Sequence, residues 1–162
     1  MREITTITDA KLTTACLGCA VASGALINYA GTIYRNDYFN AHQDIEIALP
    51  GFVIVSSIRH VNSLMDLSAK EQNNFVWVVS AIRKAQHRCG LTNVYLFQNE
   101  DTADHFHVWM FPIYEWMRAF GKGPALLSRA LDELKNGRHI HDQKEVLALT
   151  AEIKSNLEFD HE

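Results

Sequence analysis

The stretch Asp104-His105-Phe106-His107-Val108-Trp109-Met110-Phe111-Pro112 is rich in aromatic and aliphatic residues and reads as a β-strand ended by proline. In a strand, side chains alternate between faces, so His105, His107, Trp109 and Phe111 point one way and Phe106, Val108 and Met110 the other. The second set is wholly apolar and is assigned to the core. The first set puts two imidazoles on one face, about 7 Å apart at the i to i+2 spacing of a strand. Such a pair is either an ordinary polar face or a chemical site, and the segment by itself leaves both open.

Before this stretch, Thr32 to Phe39, Asp44 to Leu49 and Phe52 to Ile58 are rich in β-branched or aromatic residues, with Pro50-Gly51 as a turn, and predict an antiparallel meander. Ser68 followed by Glu71 is a capping-box signature. From Ala69 to Cys89 the residues Phe75, Val78, Val79, Ile82 and Ala85 recur at helical spacing until Gly90, which predicts one long helix. Asn93 to Phe97 reads as a further strand, and Pro124 to Lys135 and Asp142 to Leu157 as helices. The expected fold class is α+β, a sheet with helices packed on it.

The 162 residues, 48% hydrophobic and 21% charged, suit one domain with a sizeable core. A net charge of -4 with scattered Lys and Arg gives no basic face for a phosphate backbone, so no nucleic-acid partner is expected, while a single nucleotide remains open. No apolar run approaches the ~20 residues that span a bilayer, so no membrane partner is expected. Leu17 to Ile27 lacks the basic leader of a secretory signal. Three cysteines make no disulfide framework, and the expected compartment is the cytoplasm.

Cys16-Leu17-Gly18-Cys19 offers two thiolates at the spacing of zinc knuckles, where both sulfurs reach one ion at about 2.3 Å. A redox pair would stand at the start of a helix after a strand, and no such βαβ pattern is evident here; two buried small hydrophobes is the third option. The order of the pieces then carries more than any one of them. A C-x-x-C, a Pro-Gly turn into Gly51-Phe52-Val53-Ile54-Val55-Ser56-Ser57-Ile58-Arg59-His60-Val61, a capped helix, a strand and the two-histidine motif together resemble the histidine-triad (HIT) superfamily of nucleotide hydrolases and nucleotidyl transferases. The resemblance runs from Cys16 to about Pro112.

It implies a HIT-like fold for a single domain over 1–162, with a core of about 16–117 and a C-terminal helical extension of about 124–158. It implies a zinc ion held by Cys16, Cys19, His60 and His105, a closed set of two thiolates and two imidazoles and hence structural. It implies His107 as the nucleophile, attacking the α-phosphorus of a nucleotide to give a nucleotidyl-imidazole that water or another acceptor opens. Asp44-Ile45 matches the pair that receives the ribose hydroxyls and packs on the base, and Asn99 and Thr102 stand where phosphate donors are expected. A homodimer is the family-level expectation for assembly.

The sequence departs from that pattern in several places. Phe52 replaces the usual His, and the Pro-Lys pair before His60 is lost. Asp101 and Thr102 replace a Gln-Ser pair. Above all, Trp109 stands in the place of the third histidine. An indole N–H donates one hydrogen bond but exchanges no proton at neutral pH, so an acid is removed; the side chain instead narrows the pocket or stacks on substrate. Three functions follow: a hydrolase of the diadenosine-tetraphosphate type acting on a dinucleoside polyphosphate or related nucleotide, a uridylyltransferase-like nucleotidyl transferase, and a nucleotide-binding protein with lost catalysis. Elsewhere, His139 and His141 read as exposed loop residues, Cys89 as a buried small side chain, and Tyr114, Trp116 and Met117 as pocket mouth, core or subunit interface.

Overall fold

The chain begins with a two-stranded antiparallel hairpin, β1 (Arg2–Thr5) and β2 (Lys11–Thr14), followed by a short helix α1 (Leu17–Ala22). These coordinates are a computed structural model describing residues 1–7, 10–24, 31–101 and 103–159. The main sheet holds β3 (Thr32–Arg35), β4 (Phe39–Gln43), β5 (Val53–Ser57), β6 (Val94–Phe97) and β7 (His107–Pro112). Their spatial order is β3-β4-β5-β7-β6, antiparallel throughout. The long helix α2 (Ala69–Arg88) separates β5 from β6, and α3 (Gly123–Lys135) and α4 (Gln143–Ser155) close the chain.

The alternation of β7 divides the molecule into two apolar layers. Phe106, Val108 and Met110 join Phe39, Val53 and Val55 under α2, whose Val78, Ile82 and Ala85 are fully buried, together with Ile153 of α4. On the other face, Phe111 joins Phe52 and Ile54 beneath Met117, Leu126, Leu127 and Ala130, with Trp109 at the margin. The second layer covers only part of its face. What it leaves open is a cavity, and His107 stands in it.

The ends of α2 follow the reading from sequence. Ser68 Oγ accepts from Glu71 N at 3.4 Å while Glu71 Oε2 accepts from Ser68 N at 2.7 Å, satisfying two backbone donors that a helix start leaves free. Gly90 adopts φ 84°, a left-handed conformation that ends a helix cheaply only for glycine. Gln86, fully buried, donates to the carbonyls of Gly51 and Met110 at 3.0 and 3.3 Å and so ties the helix to the sheet.

Three stretches differ from their expected form. Thr32 to Phe39 is not one strand: Asn36 Oδ1 accepts from the backbone of Tyr38 and Phe39, both at 2.9 Å, and folds the chain back so that β4 starts at Phe39. Asp44 to Leu49 is a loop, because Asp44 Oδ1 takes the N–H groups of Glu46 and Ile47 at 2.9 and 2.7 Å that a ladder would have used. The strand carrying the two histidines begins at His107, and His105 lies in the bend before it. No helix among the described residues is long and apolar enough to cross a membrane.

Candidate active site and metal centre

Three distant segments meet at the cysteines. Cys16 is the N-cap of α1 and Cys19 lies one turn on, with Cys19 N donating to Cys16 Sγ at 3.4 Å. This is the start of a helix after a strand, a placement that a redox pair also uses. The partners decide between the two uses. His60 Nδ1 lies 3.6 Å from Cys16 Sγ and 3.1 Å from Cys19 Sγ, and His105 Nδ1 lies 3.5 and 3.6 Å from the same sulfurs. All four ligand atoms fall within 4.8 Å of one another. A tetrahedron with Zn–S of about 2.3 Å and Zn–N of about 2.0 Å has sulfur–nitrogen edges of about 3.5 Å, so the set fits zinc in size as well as chemistry.

The backbone around this centre is built to hold it. His105, 2% exposed, has Nε2 2.8 Å from the carbonyl of Ser57; a carbonyl only accepts, so Nε2 carries the proton and Nδ1 is left with its lone pair toward the thiols. Phe106 N donates to Val61 O at 2.6 Å and Ser57 N to Phe106 O at 3.1 Å, which sews the His105 bend to the segment that carries His60. Arg59 donates to both carboxylate oxygens of Glu71 at 3.0 and 2.8 Å and fixes that segment to the start of α2. Gly18 allows the close approach, since a Cβ there would lie 2.3 Å from His105 Cγ. Burial, with smaller contributions from the neighbouring His60 and His107 rings, holds the His105 imidazole below its usual range despite the Ser57 carbonyl, which favours the neutral form a metal needs. Burial and the neighbouring Cys16 push the Cys19 thiol up, so a cation is what would release its proton.

His107 stands next to this centre and is not part of it. Its Nδ1 lies 2.8 Å from the carbonyl of His105, so Nδ1–H donates and Nε2 keeps a lone pair. The cavity before it has a volume of about 670 Å³, the size of a small-molecule site. Its walls bring together Asp44, Ile45, His105, His107 and Trp109 from the expected residues. Burial pushes the Asp44 carboxyl up to about 6 against the two backbone N–H groups that Oδ1 accepts. Trp109 packs edge-on against Phe52 at 5.5 Å and lies 6.3 Å from the His107 ring. It is a wall of the cavity anchored in the core.

Not every expected residue arrives. Asn99 is absent from the cavity lining and its carbonyl accepts from Gln98 Nε2 at 3.0 Å; Ala103 of the same connection lines the wall instead. Thr102 lies outside the described residues. His139 and His141 are half-buried and line the cavity, contrary to the expectation of exposure, because His139 stacks on Trp116 at 3.8 Å and His141 packs against Tyr114 at 5.5 Å. Tyr114 in turn donates to Pro50 O at 2.9 Å, and Met117 is core. Cys89 is half-buried and accepts from Asn156 Nδ2 at 3.7 Å. The residue sequence reasoning missed is His42, which lines the cavity from β4. One histidine among the polar and apolar residues of Phe39–Gln43 carries no local signal.

In solved structures the same architecture recurs. A Hit-like protein involved in cell-cycle regulation from Bartonella henselae matches with a TM-score of 0.63 at 17% identity, over 90% of this chain and 98% of that one. The fold is that of the histidine-triad proteins. A zinc-bound histidine-triad family protein from Mycobacterium smegmatis matches at 0.58 and 19%, over 87% and 96%, and a hypothetical histidine-triad nucleotide-binding protein from Sulfolobus tokodaii at 0.63 and 16%, over 87% and 91%. At the level of sequence, no family model matches the chain and no curated protein is significantly similar to it. The histidine-triad fold is therefore shared at identities where fold persists and substrates do not carry over.

Proposed function

We propose that this chain is a nucleotide hydrolase acting at the α-phosphate of a dinucleoside polyphosphate or related nucleotide through a covalent nucleotidyl-His107 intermediate. The observation that carries the reading is the 2.8 Å bond from His107 Nδ1 to the His105 carbonyl, which fixes the tautomer and leaves Nε2 as the nucleophilic atom in the cavity. Nε2 bonds to the α-phosphorus as the bond from phosphorus to the leaving group breaks, and the leaving group takes that electron pair. Water then attacks phosphorus, the P–N pair returns to Nε2, and the proton goes to solvent.

Asp44 receives the ribose hydroxyls and Ile45 packs on the base. Zinc, where bound by Cys16, Cys19, His60 and His105, supplies structure: it holds the bend whose carbonyl orients His107. Trp109 provides no proton for a departing group. Leaving groups stable as anions, such as a nucleoside polyphosphate, are accordingly favoured over amines, so a dinucleoside polyphosphate is cut faster than the matching phosphoramidate. A homodimer accords with β6, an edge strand with Leu96 56% exposed, and light scattering reads it directly.

His107→Ala tests the reading: turnover of the dinucleotide is lost while zinc per chain stays as in the wild type. Donor consumption accelerated far beyond hydrolysis by a phosphorylated acceptor moves the assignment to a transferase. Thermal shifts with nucleotides and no product at high protein concentration move it to a binding protein.

A further inference from the structure

The sheet face under the cavity carries three polar side chains that the reaction above does not use. Asn40, His42 and Ser56 are 1%, 5% and 2% exposed. Ser56 of β5 stands opposite Asn40 on one side and His107 on the other, while His42 stands opposite Ile54, and Ile54 opposite Trp109. Directly opposed residues project to one face of a sheet, so His42 faces the side of His107, and both line the cavity. Asn40 Oδ1 and Ser56 Oγ are buried with no hydrogen-bond partner among the described residues. Ser56 lines the cavity and Asn40 lies beside it on the same face, and buried polar groups of this kind cost free energy while unpaired.

The chemistry of this face says which group suits it. His42 Nδ1 lies 2.8 Å from the carbonyl of Gln43, which only accepts, so the proton sits on Nδ1 and Nε2 presents a lone pair. Burial holds the ring down to about 4, well below the ordinary histidine range, so the neutral form is favoured above that pH. A phosphate offers only acceptors to that lone pair and is mismatched with it. An N–H or O–H group is matched. Distance selects between them: β4 lies two strand spacings, about 9–10 Å, from β7, comparable to the span from the α-phosphorus of a nucleotide to the far edge of its base.

We propose that His42 Nε2 reads the base, accepting a hydrogen bond from an amino or imino N–H on its edge while Ile45 and Ile54 pack on its faces. This rests on the nucleotide reading and adds a specificity determinant to it. A site built to accept a hydrogen bond rejects an analogue that lacks the donor, because the acceptor is left buried and unpaired.

The test titrates the full-length protein with the four common nucleoside 5′-monophosphates and with purine riboside 5′-monophosphate, whose base has no N–H, using the wild type, His42→Leu and His42→Gln. The tightest common monophosphate should bind the wild type about tenfold or more better than the purine riboside. His42→Leu should bring that ratio near one through loss of the tighter ligand, and His42→Gln, which keeps an acceptor, should retain part of it. Equal binding of the purine riboside by the wild type overturns the inference, even if the leucine variant does not fold. So does an unchanged ratio in a folded His42→Leu. Failure of the wild type to bind any monophosphate overturns the nucleotide reading itself, and the inference with it.

Discussion

Gly18 has no side chain, and the ring of His105 occupies the space one would take, with Cγ 2.3 Å from the ideal Cβ position. Gly18→Ala therefore displaces either α1 or His105, and zinc per chain, measured by atomic absorption, should fall well below that of the wild type with a lowered melting temperature. His42 gives a second expectation at this scale. Its folded pKa of about 4 lies below its ordinary 6.5, so the unfolded chain binds more protons between those values and stability must drop as pH falls from about 6.5 to about 4. Asp44, pushed up to about 6, acts with the opposite sign above its ordinary 3.8. Urea unfolding of wild type and His42→Leu across that range isolates the histidine: the difference in stability should change steadily with pH, in the variant's favour as pH falls. A constant difference contradicts the buried neutral ring.

Elements show which parts of the molecule were legible in sequence. The β7 alternation and the α2 periodicity were readable because they are local, and a capping box of Ser68 and Glu71 marks its helix within four residues. Glu71 is also held down to about 2 by the Arg59 guanidinium beside it, helped by Ser68. A carboxylate so depressed contributes stability in full above its ordinary 4.5 and loses it as pH falls toward about 2. Glu71→Gln should thus flatten the acid limb of the stability profile and destabilise the protein at neutral pH. Phe106 sits 1% exposed, 5.4 Å from Phe75 and 6.4 Å from Phe39, and its replacement by alanine should cost about 3–5 kcal/mol in denaturant unfolding. The turn at Asn36 and the loop at Asp44 were not legible as such: each depends on one side chain capturing backbone N–H groups within three residues, and hydrophobic pattern does not record that competition. The hairpin of β1 and β2 escaped because Arg2–Thr5 and Lys11–Thr14 each hold a single large apolar residue, Ile4 and Leu12, too little to mark a buried face.

Across the whole molecule, the cluster of Cys16, Cys19, His60 and His105 joins chain positions 44 and 89 residues apart, which spacing within any one segment could not reveal. Resemblance to a known family brought those four residues together before their distances were known. It did not foresee that the connection between α3 and α4 would form a wall of the cavity through His139 and His141, since that depends on how the C-terminal helices pack. Because the centre pins α1 to the bend at His105, a strong chelator should lower the melting temperature and open the first 24 residues to proteolysis, and added zinc should reverse both. The proposed function turns on His107, an imidazole oriented by the carbonyl two residues before it, bonding to phosphorus. The direct test is to mix the protein with a dinucleoside polyphosphate, quench at alkaline pH where a phosphorus–nitrogen bond survives, and map peptides by mass. The account predicts one nucleoside monophosphate on the peptide containing His107, absent in His107→Ala. Turnover without that adduct, or an adduct on another residue, contradicts it.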